Sequence, residues 1–158
     1  MAKKEKEVIK EVEVQEEVVT GYSIKIVDVN TLQEVGEYQT KHSAAIDLVS
    51  AEDVTIFAGS RPPVKIKTGV RLLVEGEPPP FVGLLELRSS LRVKGFTSLG
   101  TGVIDADYKD EICVVVKATH DGMRINKGDR IAQILFLPIL KADNNVKDVD
   151  RSGGFGST

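Results

Sequence analysis

Short apolar runs, each cut off by glycine, proline, asparagine or aspartate, constrain this chain more than any other feature. "YSIKIVDV" begins at Tyr22 and alternates, with Ile24 and Ile26 on one face. "VKIKTGVRLLV" (64–74), "FVGLLELR" (81–88), "EICVVVKAT" (111–119) and "RIAQILFLPIL" (130–140) follow, all rich in Val, Ile and Leu. Between them stand "AGSRPP", "EGEPPP" and "HDGMRINKGD". Runs of this length and composition, punctuated this way, predict strands, and a series of them predicts an all-β sandwich or barrel. Long helices do not alternate with the strands, so a doubly wound α/β fold is disfavoured. One short helix is predicted from "SSLRVKG", with Ser89 or Ser90 as its cap and Gly95 as its end.

The chain of 158 residues suits one core. At 41% hydrophobic and 28% charged it has a globular composition. Its longest apolar run, 131–140, is interrupted by Gln133 and Pro138 and falls short of the ~20 residues a spanning helix needs, so no membrane role is expected. Residues 1–20 read as a charged extension with irregularly spaced valines, a candidate docking segment for a protein partner. Residues 21–140 read as the β domain and 141–158 as a polar, glycine-rich arm. The extension has no apolar centre of the kind a secretory signal carries, and Cys113 is the only cysteine; both point to the cytoplasm. The apolar neighbours of Cys113 predict a buried thiol. A net charge of −3 without a basic block argues against a nucleic-acid polymer as partner, whereas a small phosphate ligand needs only a few placed cations and amides.

"GVIDADYKDEI" (102–112) sets four carboxylates around one tyrosine, more acid than a plain turn needs. With it, "SAAIDL" (43–48), "LRSSL" (87–91), "GDRIAQI" (128–134) and "RSGGFGST" (151–158) form an ordered series across the chain. Together these stretches closely resemble the motifs of the trimeric deoxyuridine triphosphatases, or dUTPases.

The resemblance implies a jelly-roll-like β fold and a homotrimer with active sites shared between subunits. It also implies hydrolysis of dUTP to dUMP and pyrophosphate, with water attacking the α-phosphorus and Mg2+ assisting. By that resemblance Asp105 is the base that activates the water. Tyr108 packs on the deoxyribose and excludes a 2′-OH, and Gly100, Gly102, Val103 and Ile104 belong to a hairpin that reads uracil through its main chain. Arg88, Ser89 and Ser90 meet phosphates, Gln133 lies near the phosphates and the water, and Asp47 holds waters of the Mg2+ shell. Arg151 reaches the γ-phosphate, Phe155 stacks over uracil, and Gly156, Ser157 and Thr158 contact phosphate as the arm closes over a neighbouring subunit's site.

In a regular strand Asp105 and Tyr108 would face opposite sides, so one pocket can use both only if the chain turns or bulges between them. Ala45 and Asp110 stand where the family usually has glycine, and the last motif is one residue short between Arg151 and Phe155. Two other readings compete: a dCTP deaminase-like enzyme of the same fold, and a noncatalytic nucleotide-sensing module that binds protein.

Overall fold

The computed structural model of the chain describes residues 21–60, 62–100, 102–144 and 153–154. The charged extension at 1–20, and Arg151, Phe155, Gly156, Ser157 and Thr158 of the arm, lie outside the described residues.

The described residues form an all-β, jelly-roll-like fold with one short helix. In chain order the elements are β1 (Ser23–Asp28), β2 (Ile46–Val49), β3 (Val54–Ile56), β4 (Val64–Lys67), β5 (Val70–Glu75), β6 (Phe81–Leu87), α1 (Ser89–Val93), β7 (Phe96–Ser98), β8 (Gly102–Asp105), β9 (Cys113–Ala118), β10 (Met123–Ile125) and β11 (Arg130–Pro138). One sheet runs β2-β11-β6-β8 and a second β4-β9-β7, with β1-β5 and β10-β3 as antiparallel pairs.

The predicted strand at 64–74 is in fact two. Thr68 and Gly69 break it, with Gly69 at φ +70, and the break moves the chain from pairing with β9 to pairing with β1. A non-glycine residue in that left-handed conformation is disfavoured. The Thr68 hydroxyl donates to the Ile112 carbonyl, and the Gly69 N–H donates to Glu111 Oε1, so the break is tied to the loop before β9.

One face of the four-stranded sheet is core. Leu48, Ala132 and Leu87 pair across it in one row, and Ile134 pairs with Leu85 in the next; all of them are buried. Ile66, Val114, Val116 and Phe96 of the second sheet join the same cluster. Each fully buried isoleucine contributes about 1.5–3 kcal/mol relative to exposure, so these inward rows are what hold the sheets in place.

The helix also differs from expectation at its start. Arg88, extended at φ −60 and ψ 142, is its N-cap, and no side chain caps it; Ser89 is already the first helical residue. The buried Leu91 and an ion pair between Arg92 and Glu86 fix its orientation instead. The helix ends before Gly95, at the place predicted for its stop.

Candidate active site

The expected hairpin around Gly100 is a corner between sheets. β7 pairs with β9 and β8 with β6, so the strands on either side of Gly100 belong to different ladders. Their inward residues, Phe96 and Ile104, are both buried, and each commits its strand to a separate sheet. Around this corner lies a cavity of about 350 Å³. Gly100, Gly102, Val103, Ile104 and Tyr108 line it, together with Cys113 and Gly154. That volume falls at the lower end of the roughly 300–1,000 Å³ usual for small-molecule sites.

Asp105 ends β8, exposed beside the cavity. The Tyr108 N–H donates to the Asp105 carbonyl at 3.0 Å, closing a turn immediately after the strand. This turn removes the parity problem of a regular strand and carries the tyrosine inward while the acid stays outside. The Tyr108 ring is buried, and its hydroxyl donates to the Glu111 carbonyl at 3.1 Å. Gly154 lies against the ring of the same chain. A Cβ at that position would come within 2.7 Å of Tyr108 Cε2, so glycine alone lets the backbone approach so closely.

Cys113 was expected to be buried. It is only partly so, and it forms part of the cavity wall, because it opens β9 beside the pocket rather than lying at its centre. Desolvation first, and then the neighbouring Glu111 carboxylate, push its thiol above the ordinary value.

A second group of predicted residues sits further along the outer face of the four-stranded sheet, the face on which Asp105 also lies. Asp47 pairs with Gln133, and Gln133 with Glu86, so the three share one row. Arg88 follows β6 directly, and its guanidinium forms an ion pair with Asp47 Oδ2. Arg130 Nη1 meets the same oxygen at 3.2 Å and also donates to Gln39 Oε1 at 3.3 Å. Ser89 and Ser90 are exposed beside Arg88, and with no capping duty their hydroxyls remain available to an anion.

The two groups are well separated within one chain. On β6, Glu86 neighbours Gln133 while Val82 neighbours Asp105, an offset of four residues. That amounts to about 13 Å along the strand and about 10 Å across the sheet. Hydrogen-bond reach to one common water is about 3 Å, so Asp105 and Gln133 of the same chain cannot share it.

The departures from the family pattern at Ala45 and Asp110 carry no backbone strain, since Leu32 is the non-glycine residue with positive φ among those described. Among the described residues no three His, Cys, Asp or Glu side chains cluster to hold a metal.

Residues 33–158 match the family model described as dUTPase. The chain is 38% identical over 152 residues to the deoxyuridine 5′-triphosphate nucleotidohydrolase of Ehrlichia canis, covering 88% of this chain and 96% of that one. It is 43% identical over 114 residues to the human endogenous retrovirus group K member 9 Pol protein; this is 72% of the chain but only 9% of that polyprotein. Among solved structures, a dUTPase variant from phage phi11 of S. aureus, described with a structural Mg(II) ion, superposes with a TM-score of 0.63 at 24% identity, covering 80% of this chain and 97% of that one.

Proposed function

This chain belongs to the dUTPase family, and from that premise we propose that it hydrolyses dUTP to dUMP and pyrophosphate, limiting uracil in DNA and supplying dUMP. The observation that carries the reading is the exposed Asp105 beside a nucleoside-sized cavity lined by Gly100, Gly102, Val103, Ile104 and a buried tyrosine ring. A uracil edge offers alternating donors and acceptors that peptide groups can pair with. A ring packed under the sugar leaves a ribose 2′-OH no room, and a site built on fit and pairing rejects close analogues steeply.

Asp105 orients the water and takes its proton as it attacks the α-phosphorus in line with departing pyrophosphate. Such transfers ask the protein mainly for positioning and charge stabilisation. Arg88, Ser89 and Ser90 supply cation and donors to the phosphates, and Gln133 orients the chain beside the water. Asp47 would hold the waters of a Mg2+ ion, which when bound would supply positive charge against the triphosphate. The ion carried by the phage relative supports Mg2+ use.

The proposal includes a homotrimer. Because Asp105 and Gln133 of one chain are too far apart for a single water, the nucleoside half of one subunit meets the phosphate half of another. Arg151, Phe155, Gly156, Ser157 and Thr158 then close over the bound nucleotide from the arm, excluding bulk water. The proposal extends to a cytoplasmic reaction and to a protein partner for the charged segment 1–20. No helix among the described residues is long and apolar enough to cross a membrane.

The test is pyrophosphate release from dUTP, dCTP, dTTP and UTP with Mg2+. Wild-type protein should act on dUTP selectively, and Asp105→Asn should lose about 10²–10⁴-fold in turnover while still binding nucleotide. Ammonia released from dCTP would favour a deaminase, and nucleotide binding without hydrolysis would favour a sensing module.

A further inference from the structure

Regular strand alternation would place Arg130 on the opposite side of the sheet from Asp47 and Gln133. Three residues before Gln133, it should project into the core face. The burial pattern breaks that alternation: Ile131 and Ala132 are both fully buried, and Arg130 is exposed. The cause is a β-bulge. Ala132 pairs with Leu48, but Val49 pairs with Arg130, leaving Ile131 as the extra residue. The bulge inverts the side-chain phase and delivers Arg130 to the face that carries Asp47 and Gln133.

Two contacts then hold Arg88, and Arg130 braces one of them. The bulged residue's carbonyl accepts the Arg88 N–H at 3.1 Å. The Arg88 guanidinium pairs with Asp47 Oδ2, and Arg130 pairs with that same oxygen while also donating to Gln39 Oε1. The turn before the bulge is latched as well: Ser50 N–H donates to the Asp129 carbonyl, and Gly128 N–H to that of Ser50. An Arg-Asp-Arg bridge with one shared oxygen holds that oxygen between two cations and keeps a net positive charge, whereas an Arg-Asp pair alone would be neutral.

We propose that Arg130 is a positioning residue for the phosphate half of the site, holding Asp47 and, through it, the aim of Arg88. It acts through its neighbours and does not have to touch the nucleotide. The inference rests on the dUTP reading above and adds a residue to it.

The experiment measures three things for wild type, Arg130→Gln, Arg130→Lys, Gln39→Ala, Asp47→Asn and the Arg130→Gln/Asp47→Asn pair. They are steady-state kinetics on dUTP, affinity for the non-hydrolysable α,β-imido analogue of dUTP, and affinity for deoxyuridine. Arg130→Gln should lower kcat/KM and analogue affinity roughly ten- to a hundredfold, the range for one charge-assisted hydrogen bond. Deoxyuridine affinity and thermal stability should hold. Arg130→Lys, which keeps a charged donor, should recover most of the loss. In the Asp47→Asn background Arg130→Gln should cost almost nothing further, because both changes break one bridge.

Additive losses in that cycle overturn the proposal, as does an equal drop in deoxyuridine and analogue affinity. Should Arg130→Gln unfold, the exposed Gln39→Ala carries the test: a severalfold loss of analogue affinity alone is expected, and unchanged affinity overturns the inference. Absence of dUTP turnover by wild type would remove the dUTP reading and this one together. Turnover with an additive cycle would remove this one only.

Discussion

Residue chemistry explains why one stretch holds both an acid and an aromatic ring. The turn after β8 separates them, with Asp105 outside and Tyr108 inside, and the peptide that closes the turn joins them. Cys113 offers a direct probe of the cavity they border. Its raised pKa means little thiolate at neutral pH, so iodoacetamide should label it slowly at pH 7 and faster as pH approaches and passes the ordinary value of 9.0. A deoxyuridine nucleotide at ten times its Kd leaves about a tenth of the sites open, so labelling should slow about tenfold. Mass spectrometry of the labelled chain reads the result, and an unchanged rate at saturation would move the nucleotide out of this cavity. The composition around Cys113 gave the wrong expectation because "ICVVV" records apolar neighbours but not that the strand opens at the cysteine itself.

At the scale of elements, the β1–β5 pair shows how exposed carboxylates contribute. Asp28 Oδ1 accepts the Asn30 and Thr31 N–H groups at 2.8 Å each, and Glu75 accepts the Ser23 hydroxyl at 2.7 Å and sits beside Lys25. The backbone donor of Thr31, then that of Asn30, lowers the Asp28 pKa; the Ser23 hydroxyl, then Lys25, lowers that of Glu75. A carboxyl whose folded pKa is depressed stabilises the fold above its unfolded value and loses that contribution as pH falls through the folded one. Thermal melts of Asp28→Asn/Glu75→Gln should therefore lie below wild type at pH 7. The gap should narrow as pH drops below the ordinary values of 4.5 and 3.8, and close beneath the depressed ones. A gap constant from pH 7 to 2 would assign these contacts no electrostatic part. The same scale shows where sequence patterns carry and where they stop. β1, β6, β9 and β11 were legible because each runs long enough to show its period. β3 and β10, three residues each, are too short to show one. The two buried neighbours Ile131 and Ala132 read as part of a continuous apolar strand, which conceals the bulge between Arg130 and Gln133. Motif resemblance singles out Asp47, Arg88, Asp105 and Gln133 as candidates, yet motif order along the chain says nothing about which of them meet in space.

For the whole molecule, the four-stranded sheet presents an outer face with a polar row at one end, Asp47-Gln133-Glu86, and apolar side chains in the middle. Leu135 pairs with Leu84, and Leu84 with Val103, which is 61% exposed. A sheet face of this kind suits contact with further copies of the chain. If each site joins Asp105 of one subunit to Gln133 of another, two inactive chains can rescue each other. Asp105→Asn and Gln133→Ala should each be nearly inactive as a homotrimer. After joint unfolding and refolding, random assembly puts an intact Asp105 opposite an intact Gln133 in about a quarter of the sites, so the mixture should regain about a quarter of wild-type turnover. If both residues served one site from the same chain, every site in the mixture would still lack one of them and turnover would stay at the background of the parents. Refolding each variant alone controls for reactivation unrelated to mixing. Activity that rises only in the mixture therefore measures the distance between Asp105 and Gln133 by its chemical consequence.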